Sequence, residues 1–117
     1  MIERKVQIGL GGIKLKGFLV VPRSASSIVL FAHGSGSSRL SPRNRFVAET
    51  LQKAGIGTLL FDLLTREEDM VYENRFDISL LTERQKAATL WLKKQPQTRG
   101  FRFGYFGAST GAAAALL

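Results

Sequence analysis

The sequence predicts an α/β fold: a mostly parallel sheet with an antiparallel hairpin at its N-terminal edge. Three observations lead there. Segment 28–32 is continuously apolar and 56–61 largely so, as strands covered on both faces are. Helical patterns follow each of them, so strand and helix alternate along the chain. Before them, two closely spaced alternating runs are separated only by Gly11-Gly12, which is how a hairpin reads.

The elements can be taken in order. Val6-Gln7-Ile8 begins the first strand, and residues 13–21 form the second, stopped by Pro22. Ile28 to Ala32 is the first buried strand, followed by the small-residue loop His33-Gly34-Ser35-Gly36-Ser37-Ser38. Ser41-Pro42 reads as an N-cap with proline in the first turn. Phe46, Val47, Thr50, Leu51 and Ala54 then recur at helical spacing up to a C-capping Gly55. Ile56 to Phe61 is the second buried strand, ending at Asp62, and the polar stretch from Leu63 to Phe76 reads as loop. Asp77 caps a second helix with Leu80, Leu81, Ala87, Ala88, Trp91 and Leu92 on its inner side, closed by Pro96. Phe101 to Phe106 is a third short strand, leading through Gly107-Ala108-Ser109-Thr110-Gly111 into the apolar run 112–117. Residues 28–32, 56–61 and 101–106 are therefore expected to be neighbouring parallel strands with right-handed crossovers.

Composition narrows the function classes. With 117 residues and 44% apolar content the chain suits one domain with a real core. There is no cysteine, which excludes disulfides, thiolate metal sites and a cysteine nucleophile. One histidine and scattered carboxylates lack metal-ligand spacing, so neither metal nor cofactor is expected. The net charge of +8 includes Arg4, Lys5, Lys14, Lys16 and Arg23 near the start and Arg39, Arg43 and Arg45 further on. Such a balance can attract anions. No aromatic residues interleave with these positions as stacking platforms, so solvated faces are expected and nucleic acid is not. No signal peptide is visible, and the most apolar stretch, 103–117, is glycine-broken and too short to span a bilayer. A cytoplasmic protein with no membrane partner is the expectation.

The chemistry concentrates in Gly107-Ala108-Ser109-Thr110-Gly111, a G-x-S-x-G pattern. The pattern recurs by chance in glycine-rich chains, and its force comes from lying between a strand and a helix. There the serine sits on a sharp turn with its hydroxyl projecting from the sheet edge. The flanking glycines avoid collisions, and the helix N-terminus favours a developing anion. The loop 33–38 leaves the carboxyl end of a central strand, where ligands of open α/β sheets bind. The backbone N–H of Ser35 and that of Thr110 can then form an oxyanion hole. A phosphate-cradling loop is the rival reading, although no Gly-Lys-Ser/Thr or G-x-G-x-x-G accompanies it.

Four segments together carry a resemblance: the strand 28–32, the loop 33–38, Phe61-Asp62-Leu63-Leu64-Thr65, and Phe106-Gly107-Ala108-Ser109-Thr110-Gly111. They resemble dienelactone hydrolase-like members of the α/β-hydrolase superfamily, across nearly the whole chain but only the first half of that domain. The resemblance implies a three-layer sandwich that stops after the nucleophile elbow, with residues 1–117 as the N-terminal part of one domain. It also implies Ser109 as nucleophile and Ser35 and Thr110 as oxyanion donors, acting on a small-molecule ester or acyl compound. Dienelactone hydrolase proper has cysteine where this chain has Ser109, so that substrate does not carry over.

A serine nucleophile needs a base oriented by a carboxylate, and in this fold both follow it in the chain. No residue up to Leu117 fits that order, so the isolated chain is expected to be inactive, and its apolar end reads as cut. A second chain or the C-terminal half would complete it. His33 is expected to hold its loop rather than act as base, and Asp62 to fix the turn after its strand. Glu67, Glu68 and Asp69 lie in a solvated loop or line a substrate mouth, and Arg84 is expected to pair with a carboxylate. Against the hydrolase reading stands a non-catalytic module that binds through an exposed sheet edge.

Overall fold

The computed structural model describes residues 1–34 and 37–107. Among them, five strands form one sheet in the order β1-β2-β4-β3-β5: β1 (Ile2–Leu10), β2 (Ile13–Val21), β3 (Ser27–Ala32), β4 (Gly57–Phe61) and β5 (Arg102–Gly107). β3 runs parallel to both β4 and β5, while β1-β2 and β2-β4 are antiparallel. The three strands expected to be parallel neighbours are so, with β3 in the middle.

The hairpin is longer than its sequence pattern indicated. β1 begins at Ile2, paired with Val21, and runs to Leu10 opposite Ile13. Pairing along the whole of β2 orders the polar residues Glu3, Arg4 and Lys5, whose side chains remain exposed. Gly11 turns the chain with φ +60, a region that suits glycine. Val6, Ile8, Leu15, Leu19 and Val21 are buried, and the intervening Lys5, Gln7, Lys14 and Lys16 are exposed. Gly17 marks the seam where the hairpin joins the parallel strands. A Cβ there would stand 3.0 Å from the Leu60 carbonyl oxygen, so only glycine lets β2 approach β4 this closely.

Helices cover both faces. α1 (Pro42–Lys53) begins as expected, with the Ser41 hydroxyl accepting from the Asn44 N–H at 3.3 Å and Pro42 in the first turn. Of the expected inward residues Val47 and Leu51 are partly buried and pack on Phe31 and Leu60, but the buried contact is Ala48, and Phe46 is 71% exposed. A small residue at the contact lets the helix sit close to β3 and β4.

α3 (Ile78–Lys94) starts at Asp77, whose carboxylate accepts from the Leu80 N–H at 3.1 Å. It buries Leu81, Ala88 and Leu92 in the main core with Ile8, Leu15, Leu19, Leu30, Leu59 and Phe61. Beyond its end the Thr98 hydroxyl donates to the Leu92 carbonyl at 2.5 Å, satisfying an orphan group of the last turn. The 63–76 stretch is not plain loop. Thr65 and Glu68 form a reciprocal capping box that nucleates a short α2 (Arg66–Asp69), and a 3₁₀ turn follows at Tyr72–Phe76.

Candidate active site

The carboxyl ends of β3, β4 and β5 lie together at one edge, and the sequence motifs follow them. Parallel pairing sets Ala32 opposite Gly107. The strand that leads into His33 therefore ends beside the one that leads into Gly107-Ala108-Ser109. Ser35, Ser109, Thr110 and the apolar run 112–117 lie outside the described residues. The described site consists of what surrounds them.

His33 is buried at 7% exposure, and both ring nitrogens are engaged. Nε2 accepts from the Leu63 N–H at 2.9 Å, and Nδ1 lies 2.9 Å from the Gly34 carbonyl oxygen. A backbone N–H can only donate, so Nε2 carries the lone pair and Nδ1 the proton, donated to Gly34. This neutral imidazole has no nitrogen left to take a proton from a serine. It holds the loop, as its position in the sequence suggested.

Asp62 acts on a different segment from the expected one. Its carboxylate does not fix the turn after β4. Instead it reaches back to the loop after β3, accepting from the Arg39 N–H at 2.8 Å and the Arg39 guanidinium at 2.9 Å. The guanidinium also lies over the Phe18 ring, 5.2 Å from its centroid. The Ser37 N–H donates to the Gly34 carbonyl at 3.1 Å. Residues on either side of Ser35 are thus tied to the consecutive residues Asp62 and Leu63.

Below this edge, Arg84 is buried on α3 and pairs with a carboxylate as expected. Its guanidinium donates to Glu68 at 2.6 and 2.5 Å and to the Leu63 carbonyl at 3.3 Å. The two-pronged bond with Arg84, assisted by the Thr65 N–H and hydroxyl, lowers the Glu68 pKa from 4.5 to about 2 against the opposing effect of burial. Asp69 pairs with Arg75 at 3.1 Å. A cleft of about 1000 Å³ opens at this edge, lined among others by His33, Ser37, Asp62, Thr65 and Glu67. Of the acidic trio, Glu68 is a structural partner, and Glu67 faces the cleft with no ion pair among the described residues.

Sequence reading missed Arg39, which looked like one more member of a basic cluster. It also missed the capping box, although Thr65-Arg66-Glu67-Glu68 carries the S/T-x-x-E signal that would have revealed it. Nothing local marks Leu63 as the partner of His33, because the bond uses its backbone N–H, which any residue but proline carries.

A mixed sheet in this order, with helices on both faces and a cleft at the carboxyl edge, is the α/β-hydrolase fold. Comparison makes the likeness specific: the dienelactone hydrolase of Anabaena variabilis ATCC 29413 superposes with a TM-score of 0.92 at 57% identity, over 98% of this chain and 55% of that one. An esterase of Pyrococcus furiosus matches at TM-score 0.75 and 27% identity, over 98% of this chain and 45% of that one. The protein Est1E of Butyrivibrio proteoclasticus shares the fold at TM-score 0.80 and 21% identity, over 97% of this chain and 44% of that one. Among curated proteins, one from Mycobacterium tuberculosis H37Rv, provisionally named a phosphoribosyl transferase, is 55% identical over 115 residues. That match covers 98% of this chain and 26% of the relative. The chain thus spans about half the length of the solved dienelactone hydrolase and about a quarter of the mycobacterial protein. No protein-family profile matches it. No helix among the described residues is long and apolar enough to cross a membrane.

Proposed function

We propose that residues 1–117 supply the nucleophile-bearing half of a serine hydrolase acting on carboxylic esters or related acyl compounds. The observation that carries this reading is the pairing of Ala32 with Gly107. It brings the strands leading into the 33–38 loop and into Ser109 side by side at the sheet's carboxyl edge. In this reading Ser109 attacks the acyl carbon, the Ser35 and Thr110 N–H groups receive the oxyanion, and water cleaves the acyl-enzyme. With both His33 nitrogens engaged, the reading draws its base and its acid from outside residues 1–117. The likeness to a dienelactone hydrolase and an esterase supports the reaction class.

The test is hydrolysis of short-chain p-nitrophenyl esters by the full-length protein beside its Ser109→Ala variant. Turnover should fall by about three orders of magnitude or more in the variant. Equal rates in the two would overturn the reading.

A second reading, phosphoribosyl transfer, rests on the name of the mycobacterial relative. The region shared with that relative is the segment with the hydrolase fold, and it is 26% of its length. Release of diphosphate from an activated phosphoribosyl donor, abolished by Ser109→Ala, would favour transfer instead.

A further inference from the structure

We infer that Asp62, Arg39 and His33 form a clasp that positions the oxyanion-donor loop, so that they are positioning residues for acyl transfer. The inference rests on the hydrolase reading above. Its basis is a double anchorage to two consecutive residues at the end of β4. At the near side of Ser35, the buried His33 ring accepts the Leu63 N–H and donates to Gly34. At the far side, the Asp62 carboxylate takes both the backbone N–H and the guanidinium of Arg39. Leu63 is itself held through its other backbone group, its carbonyl accepting from the Arg84 guanidinium at 3.3 Å. Phe18 on β2 supports the Arg39 guanidinium from below.

The arrangement goes beyond what loop stability asks for. Two charge-assisted bonds and a buried imidazole fix the segments flanking a single candidate donor, and their sequence separations are 23 and 30 residues. An oxyanion donor acts only if its N–H already points at the place where charge develops, and a misplacement of about 1 Å can cost about a hundredfold. The side chains of Gly34, Ser37 and Ser38 are too small to anchor the segment by packing, and the clasp ties it through hydrogen bonds instead.

The experiment compares an oxygen ester with its thionoester analogue in the full-length protein. Sulfur accepts hydrogen bonds weakly, so the oxygen-to-sulfur ratio of kcat/KM reads the engagement of the oxyanion donors. Asp62→Asn should lower kcat for the oxygen ester about tenfold or more, leave KM within about twofold, and reduce the oxygen-to-sulfur ratio in step. Arg39→Gln keeps the backbone N–H bond to Asp62 and should give a smaller fall in the same ratio, which covers a failure of the first variant to fold. Thr98→Val breaks a buried bond far from the loop and should lower the melting temperature without moving the ratio. Both esters slowing equally in the Asp62 and Arg39 variants, with Ser109-dependent turnover intact, would overturn the clasp alone. Absence of Ser109-dependent turnover in the unaltered protein would overturn the hydrolase reading, and the clasp's catalytic role with it.

Discussion

The loops that follow β3 and β4 leave the same edge of the sheet but are held in different ways. After β3, the tethers are long-range: His33 to Leu63 and Arg39 to Asp62, each joining the loop to the end of a neighbouring strand. After β4, most bonds are local. Thr65 and Glu68 cap each other, Asn74 donates to the Glu68 carbonyl, and Arg75 pairs with Asp69. Among the described residues, Arg84 alone ties that loop to the helix layer by side-chain hydrogen bonds. Its far part is left in solvent, with Met70 80% and Tyr72 64% exposed. A loop built around its own turn of helix can be ordered by caps. The described residues that flank Ser35 are instead tied to partners 23 and 30 residues away.

The comparison can be broken by removing one tether at a time. The largest stability loss is expected for Arg84→Met, about 2 to 3 kcal/mol, because a partly buried carboxylate and the buried Leu63 carbonyl lose their donor together. Urea midpoints of the full-length protein measure it, and a loss no greater than that of Arg75→Gln would refute the distinction. Asp62→Ala should follow at about 2 kcal/mol, since two hydrogen bonds to a charged acceptor disappear. Thr65→Ala, which removes one side of the capping box, should cost about 1 kcal/mol. Arg75→Gln should cost under about 0.5 kcal/mol, its pair with Asp69 being the most exposed of the three.

Acid sharpens the same contrast. The folded pKa of Glu68 is depressed to about 2 from 4.5, so its contribution is fully present above pH 4.5 and is lost as pH falls toward 2. Stability measured across that window should therefore fall less steeply in Arg84→Met than in the unaltered protein. Parallel slopes would show that the pair is not what holds the carboxylate ionised.

Much of the architecture was legible because it rests on local signals. A continuous apolar run marked β3 and a largely apolar one β4, Gly11-Gly12 marked the hairpin, and Ser41-Pro42 and Asp77 marked two helix starts. What escaped was set by partners distant in the chain. The start of β1 at Ile2 depends on pairing with Val21. The inward face of α1 depends on what Phe31 and Leu60 can admit, which is Ala48 rather than Phe46. Arg39 looked like surface charge because the carboxylate it meets lies 23 residues on. The serine motif itself was the plainest feature of the sequence, whereas the residues that brace its surroundings were the least visible.

The hairpin tip offers an experimental handle on the cleft. Gly12 lies on the cleft wall, its φ is not in the left-handed region, and a Cβ added there would meet nothing within 4 Å. Residues 1–117 contain no cysteine, so Gly12→Cys would give this segment a single thiol at the mouth of the site. A fluorophore attached there would report occupancy of the cleft by changes in its emission, at a position the packing leaves free.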